Sequence, residues 1–227
     1  MLTHTTSAYG LSSSHLVDYK GQLLEKETAK ALKRMVLAAE QAGIKLRVCS
    51  AYRDFSRQLK IWNGKALGER PLLDSNSVPV DRNNKSDAQL LELILLWSAL
   101  PGTSRHHWGT DIDVFDENTI EPNRLQLIPS EYAAGGPCAK LHTWLVEHAA
   151  EFGFFFPFQS GLSGVSAEPW HLSYHPVSTQ ILESFDIKTL KHIINESEIE
   201  LKAEIMKRID ALVDEYVYTI APPPDQL

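Results

Sequence analysis

The sequence predicts an α+β fold in which helices cover a small antiparallel sheet and a helical extension follows at the C-terminal end. Apolar residues recur with a helical period in several well-separated segments. Between these segments lie short runs that are apolar or alternate in polarity, as strands do. Beyond residue 176 the pattern is mostly helical. We therefore predict one domain over residues 1–176 and an extension over residues 177–227 that packs on it.

The helices of the domain are predicted from apolar periodicity and from residues that begin or end a helix. Gly43 is placed to end the first helix, and Asp54 to cap the start of the second. The predicted helices span residues 21–42, 54–63, 87–98 and 138–150. The stretch 64–86 is rich in Gly, Pro, Asn and Ser, and is therefore predicted to be a long loop of the kind that is often functional or mobile.

Three strands are predicted between the helices, over residues 45–50, 111–115 and 169–174. In the second of them, Asp111 and Asp113 share one face by parity, whereas Ile112 and Val114 lie on the other. The two carboxylates are therefore expected on the same side of the sheet. The aromatic run 152–158 is expected to lead into the core or into the wall of a pocket.

Helices are also predicted in the extension, over residues 177–218. Ser197 and Glu200 resemble a capping box, in which each side chain satisfies a backbone N–H of the other, and would begin the last helix. The final stretch, residues 221–227, contains three prolines and is expected to be disordered or extended.

The composition bounds the possible classes of function. With 43% apolar and 22% charged residues, the chain of 227 residues resembles an ordinary soluble globular protein. Its net charge of -7 and the lack of a Lys/Arg stripe argue against nucleic-acid binding. No run approaches a membrane span, and the first residues lack the features of a signal peptide, so a cytoplasmic location is expected. Cys49 and Cys138 are expected to be free thiols.

Three short segments offer the side chains of a zinc-peptidase site: residues 50–53 (SAYR), 104–113 (SRHHWGTDID) and 168–171 (EPWH). A catalytic zinc takes three protein ligands and leaves one position open, with a base nearby. His106, Asp113 and His171 could be those ligands, with Glu168 to spare. Burial of Asp113 without a partner would be costly, and a salt bridge is the alternative to a metal. His107 is the competing ligand. The other histidines are assigned to structural or surface positions: His4, His15, His142, His148, His175 and His192.

These segments resemble the zinc D-Ala-D-Ala carboxypeptidases and dipeptidases of the vancomycin-resistance (VanY-like) type, whose fold is shared with lysostaphin-like peptidases and the hedgehog domain. The family pattern is Ser-x-His-x-x-Gly-x-Ala-x-Asp followed by Glu-x-x-His, and an upstream Tyr-Arg is followed shortly by Gln. The match covers roughly residues 45–175. One position departs from it: Asp111 stands where the family has Ala. Asp111 could orient a ligand histidine, pair with Arg53 or Arg105, narrow the pocket, or be a surface carboxylate.

The resemblance implies a role for each matching residue. His106, Asp113 and His171 would bind one Zn²⁺ per chain, and Glu168 would act as the general base. The other roles concern a small peptide or muropeptide substrate. Arg53 would hold its terminal carboxylate, Ser104 and Gln58 its backbone, and Tyr52 and Trp170 would form walls.

The resemblance thus leads us to expect a carboxypeptidase that removes a C-terminal D-Ala from peptidoglycan stem peptides, at a D,D or an L,D bond. An endopeptidase of the lysin type and a zinc-binding module without catalysis are the alternatives. Arg53 favours the carboxypeptidase, because an endopeptidase has no terminal carboxylate to hold, and Glu168 argues against a module without catalysis. Neither nucleic acid nor a membrane is expected as a partner. Without a signal peptide, the substrates expected are cytoplasmic precursors or recycled muropeptides, unless another route exports the protein.

Overall fold

The computed structural model describes residues 6–224 and has an α+β fold, as predicted. Its central sheet is antiparallel and has four strands: β3 (Leu46–Ser50), β6 (Asp111–Asp116), β7 (Phe154–Phe155) and β8 (His171–Tyr174). Their order in the sheet is β3-β6-β8-β7. Two hairpins lie outside the sheet: β1 (Leu16–Tyr19) with β2 (Gln22–Glu25), and β4 (Leu72–Leu73) with β5 (Pro79–Val80). Among the described residues, no helix is both long and apolar enough to cross a membrane.

The register of the sheet places Asp113 between two segments predicted to form the site. Asp113 pairs with Ser50 of β3 on one side and with His171 of β8 on the other. The pairing between β3 and β6 shifts between Val48 and Ser50, just before the chain leaves β3. The three segments predicted to hold the chemistry therefore meet at one end of the sheet.

Eight helices are found in the described part of the chain. They are α1 (Lys26–Gln41), α2 (Phe55–Ala66), α3 (Asp87–Leu95), α4 (Pro129–Tyr132), α5 (Ala139–His148), α6 (His175–Glu183), α7 (Ile187–Glu196) and α8 (Lys202–Val213). Helices α1 and α5 cover one face of the sheet, where Leu32 and Leu141 pack with Val114 and Leu172 in one buried cluster. Asp54 caps α2 by accepting a hydrogen bond from the backbone N–H of Arg57, as predicted.

Two predictions of helix ends are wrong. The first helix begins at Lys26, not at residue 21, because Lys20 and Gly21 adopt positive φ and turn the chain into the β1–β2 hairpin. Ser197 does not begin the last helix. It ends α7, with its hydroxyl donating to the carbonyl of Ile194, whereas Leu201 precedes α8 without a side-chain cap.

The C-terminal helices share a core with helices of the preceding domain. Trp62 of α2 and Ile94 of α3 are fully buried in the same cluster as Leu190 of α7 and Ile205 of α8. Trp62 also donates its indole N–H to the carbonyl of Glu200, at 3.1 Å. This core is separate from the one between the sheet and helices α1 and α5, and it contains residues from both sides of position 176.

The chain after α8 returns to the loop that precedes β8. The backbone N–H of Ala221 donates to Pro157 at 2.9 Å, and that of Gly164 donates to Thr219 at 3.2 Å. A side chain at Gly164 would collide with the carbonyl of Glu215. This close backbone contact fixes the end of the extension beside residues 157–165.

Candidate active site

His106 lies in a short 3₁₀ turn, Arg105–Trp108, that Gly109 ends in the left-handed conformation at φ 72°. A side chain at Gly109 would collide with Leu16 and with the backbone of Glu25, so the turn requires glycine. Nδ1 of His106 lies 2.9 Å from the carbonyl oxygen of Ala51. Because a carbonyl only accepts, Nδ1 carries the proton and Nε2 presents its lone pair. Nε2 lies 3.3 Å from Oδ2 of Asp113.

His171 and Asp113 complete a buried group of three potential metal ligands. One ligand atom from each of His106, Asp113 and His171 lies within 4.8 Å of the others. Nδ1 of His171 is 3.1 Å from Oδ1 of Asp113, but the geometry between them is not that of a hydrogen bond, and neither atom has another hydrogen-bond partner among the described residues. Buried polar atoms without partners are costly, and a cation would satisfy both. Two imidazoles and a carboxylate are also a donor set that Zn²⁺ takes, so the residues fit this metal.

Glu168 lies beside this group. Its Oε2 is 3.5 Å from Nδ1 of His171, and its side chain is largely buried. Burial raises the pKa of Glu168 to about 7, and nearby Asp113 acts in the same direction, while His171 and Arg53 oppose the shift. A carboxylate with a pKa near neutrality is suited to taking and returning a proton.

Asp111 is fully buried, so the interpretation of this residue as a surface carboxylate is wrong. It accepts hydrogen bonds from Nε of Arg105 at 2.8 Å and from Nε2 of His171 at 2.9 Å. Burial alone would raise the pKa of Asp111, but Arg105 and His171 hold it well below its usual range. The pKa of His171 is raised to about 10: burial opposes this, and the hydrogen bond to Asp111 together with the negative charge of nearby Asp113 outweighs burial. Of the roles left open by the sequence, Asp111 has the contacts for two: orienting a histidine and pairing with Arg105.

A cavity of about 270 Å³ joins these groups. Seven of the nine residues predicted to form the site line it: Arg53, Ser104, His106, Asp113, Glu168, Trp170 and His171. Trp170 packs against Trp97 and Tyr132, with ring centroids 6.2 Å and 5.7 Å apart. Trp170 is thus both a wall of the cavity and part of a buried cluster.

The structure places the other two predicted residues behind the lining of the cavity. Gln58 is fully buried, accepts a hydrogen bond from Nη1 of Arg53 at 2.7 Å, and donates to the carbonyl of Ala99 at 2.7 Å. Tyr52 directs its hydroxyl to the carbonyl of Gly10, at 3.3 Å. Gln58 therefore acts on the site only by holding Arg53, and Tyr52 contacts the backbone of Gly10 instead of lining the cavity.

His107, the competing ligand, directs both ring nitrogens to the backbone and is not part of the group of candidate metal ligands. Its Nε2 accepts a hydrogen bond from the backbone N–H of Gly102 at 3.1 Å, and its Nδ1 contacts the carbonyl of Arg53. Burial lowers the pKa of His107 to about 3, so the ring is neutral. His107 thus fixes the backbone of Arg53. His4, assigned to a structural or surface position, lies outside the described residues.

Several lining residues were not singled out from the sequence. Phe158 lies at the end of the aromatic run, with its ring centroid 4.7 Å from that of His171, and that run was expected to lead into the core or a pocket wall. Tyr216 lines the cavity from the C-terminal extension, and Leu73 from the β4–β5 hairpin. No local pattern marks Tyr216 as a lining residue, because it reaches the cavity only through packing between segments far apart in the chain.

This chain is similar to known carboxypeptidases over most of its length. A D-alanyl-D-alanine carboxypeptidase of Enterococcus faecalis is 25% identical over 157 residues, which are 68% of this chain and 49% of that protein. The chain thus spans about half the length of that relative. The structure of VanYB in complex with D-alanine-D-alanine matches with a TM-score of 0.53 and 20% identity, covering 81% of this chain and 89% of that one.

A second solved structure is a vancomycin-resistance D,D-pentapeptidase VanY in complex with Zn(II). It matches with a TM-score of 0.52 and 22% identity, over 75% of this chain and 86% of that one. At these identities the two structures show a shared fold. The family model of VanY, D-alanyl-D-alanine carboxypeptidase, matches residues 21–177, which contain the lining residues predicted from the sequence. The chain therefore belongs to the VanY family of D-alanyl-D-alanine carboxypeptidases and is a peptidase.

Proposed function

We propose that this protein is a zinc-dependent carboxypeptidase that removes a C-terminal D-Ala from peptidoglycan stem peptides. The observation that carries the proposal is the presence of Arg53 in the same cavity as Glu168 and the three candidate metal ligands. A planar guanidinium can pair with both oxygens of a terminal carboxylate. The cavity thus offers a site for a free peptide end next to a base.

His106, Asp113 and His171 would hold the zinc through Nε2, a carboxylate oxygen and Nδ1. When bound there, Zn²⁺ supplies a Lewis acid that lowers the pKa of water and polarises a carbonyl. The match to a VanY structure solved with Zn(II) supports the choice of this metal.

Glu168 is the residue that would move protons. Its carboxylate lines the cavity beside His171 and would accept a proton from the attacking water, then deliver it to the amine that leaves. The aromatic rings of Trp170 and Phe158 also line this space, so that part of its wall is apolar. Exclusion of water strengthens the interaction of each charged group with the substrate.

Arg53 would orient the peptide. Its Nη1 is held by Gln58 and its Nη2 lies 3.3 Å from the hydroxyl of Ser50, so the guanidinium has a fixed direction. Nε of Arg53 is buried without a hydrogen-bond partner among the described residues. A substrate carboxylate is the group that such a cation would bind.

Incubation of the zinc-loaded protein with muramyl pentapeptide and tetrapeptide tests the proposal. We expect loss of one alanine mass, abolished by a chelator and by Glu168→Ala. Release from the pentapeptide would identify a D,D bond, and release from the tetrapeptide an L,D bond. Cleavage within the peptide would instead indicate an endopeptidase. Stoichiometric zinc without turnover of either peptide would refute both enzymatic functions.

A further inference from the structure

Asp111 connects a candidate metal ligand to a buried cation. Its carboxylate is 0% exposed and accepts hydrogen bonds from Nε2 of His171, Nε of Arg105 and the hydroxyls of Thr110 and Ser173. Asp111 and Ser173 are direct partners in the pairing of β6 with β8. The position of this carboxylate is therefore set by the sheet itself.

The contact with His171 determines which nitrogen of that ring is free. A carboxylate paired with Arg105 can only accept, so Nε2 of His171 must carry the proton in this hydrogen bond. In the neutral ring, which is the form that binds a metal, Nδ1 then presents its lone pair. Nδ1 is also the atom that lies 3.1 Å from Asp113 and 3.5 Å from Glu168, on the cavity side of the ring. The two nitrogens of His171 thus have separate partners on opposite sides.

The buried ion pair keeps the carboxylate in place. Arg105 is 5% and Asp111 0% exposed, and Arg105 also donates from Nη2 to the hydroxyl of Ser173. The guanidinium lies 4.5 Å from the ring centroid of Trp108. Arg105 cannot leave this position without breaking contacts with three neighbours, so it supplies a fixed counter-charge for Asp111.

We propose that Asp111 is a positioning residue that holds His171 in the tautomer and orientation needed to bind the metal. This inference rests on the metal site of the proposed function. His106 obtains the same restraint from a backbone carbonyl, that of Ala51. The charged carboxylate of Asp111 has a second effect: it increases the basicity of the His171 ring and so strengthens the bond of that ring to a metal.

Zinc affinity of the purified protein, measured by competition with a chelating indicator, tests this role without relying on turnover. Asp111→Ala is expected to bind zinc about 10- to 100-fold more weakly than the unchanged protein. Asp116→Asn is the control, because Asp116 is also a buried carboxylate of β6. It accepts hydrogen bonds from the backbone N–H groups of Lys45 and Asn118 and does not line the cavity. Its zinc affinity is expected to stay unchanged.

A second readout is the imidazole N–H signal of His171 in zinc-loaded, ¹⁵N-histidine-labelled protein. The unchanged protein should show a protected proton on Nε2, and Asp111→Ala should lose that protection. If the alanine variant does not fold, Asp111→Asn takes its place, because the amide keeps the shape of the side chain and one hydrogen-bond acceptor. Its zinc affinity should fall by a few-fold, and by about tenfold at most. Zinc binding by a folded variant as tight as that of the control would overturn the proposal. Failure of the unchanged protein to bind zinc would instead count against the proposed function.

Discussion

Gln58 and Arg53 form a side-chain hydrogen bond of 2.7 Å in which a fully buried amide fixes a cation that faces the cavity. The other end of the amide is anchored to the backbone of Ala99. Arg53 is further held by its own backbone, through its N–H to the carbonyl of His106 and its carbonyl to His107. The direction of the guanidinium is thus tied to the same segment that carries a candidate ligand.

Gln58→Leu should therefore weaken substrate binding without removing the chemistry. Loss of the amide leaves Nη1 of Arg53 free to swing, and we expect KM for a short D-Ala-terminated peptide to rise about tenfold with kcat changed much less. Steady-state kinetics measure this split. Lys60→Leu, at an exposed position of the same helix, serves as the control. An unchanged KM in the folded Gln58 variant would show that Arg53 does not need this support.

Glu168→Gln should separate catalysis from metal binding. Because the amide keeps the size of the side chain but cannot take a proton, kcat is expected to fall about 10²- to 10⁴-fold. Glu168 is not one of the three candidate ligands, so the zinc content should stay at one ion per chain. Kinetics and elemental analysis of one preparation check both statements. Turnover at more than about a tenth of the original rate would exclude Glu168 as the base.

Removal of the metal should lower stability as well as activity. Without a cation, Oδ1 of Asp113 and Nδ1 of His171 are buried without hydrogen-bond partners among the described residues. Zinc at 100 times its Kd should stabilise the folded state by about 2.7 kcal/mol. Thermal unfolding with a chelator and after zinc is restored measures the difference. His171→Ala should show no zinc-dependent shift, and an equal shift in that variant would place the metal elsewhere.

Lys65 should make stability depend on pH. Burial lowers the pKa of Lys65 from 10.5 to about 8. Below pH 8, Lys65 is charged in both the folded and the unfolded state, and the folded state bears the full free-energy cost of burying that charge. As pH rises towards 10.5, the folded state loses the proton first, so stability increases and the cost disappears.

Lys65→Met is therefore expected to raise the free energy of unfolding by about 1 to 3 kcal/mol at pH 7. The advantage should shrink steadily between pH 8 and pH 10.5 and then vanish. Chemical denaturation over this range measures it. Lys60→Met, at an exposed position on the same helix, should show no such trend. A gain that stays constant up to high pH would mean that the methionine acts by packing alone.

Trp62→Ala should destabilise the domain and the extension together. The indole is fully buried in the core shared by α2, α3, α7 and α8, and truncation of such a side chain costs about 3 to 5 kcal/mol. We expect one cooperative unfolding transition that moves as a whole. Denaturation followed by fluorescence and by circular dichroism tests this. A second transition that is insensitive to the substitution would show that the two parts unfold independently.

The sequence was most informative where the chemistry lies in short segments. His106, Asp113, Glu168 and His171 were predicted because their order and intervals match the family pattern. The structure brings all four to one cavity, with Asp113 and His171 paired in the sheet. The β1–β2 hairpin was missed because Leu24 fits a helical face as well as an alternating strand. The spacing of the site residues fits one arrangement, and their prediction succeeded. The spacing around Leu24 fits both a helix and a strand, and its prediction failed.

For Asp111 the sequence left several roles open, and it did not predict the contacts of Gln58 and Tyr216. Each depends on a partner far along the chain or on another element: Asp111 on His171, Gln58 on the carbonyl of Ala99, and Tyr216 on its place in the wall of the cavity. Spacing within a motif does not encode such contacts. They arise from packing between elements, which only the folded chain defines.

The return of the C-terminal segment to the cavity has a consequence for the order of biosynthesis. A ribosome makes Arg53, His106, Asp113, Glu168 and His171 well before it reaches Tyr216 and the residues that bond to Pro157 and Gly164. A nascent chain therefore carries every reactive group while one wall is still missing. The complete wall of the cavity can form only after the last of these segments leaves the exit tunnel.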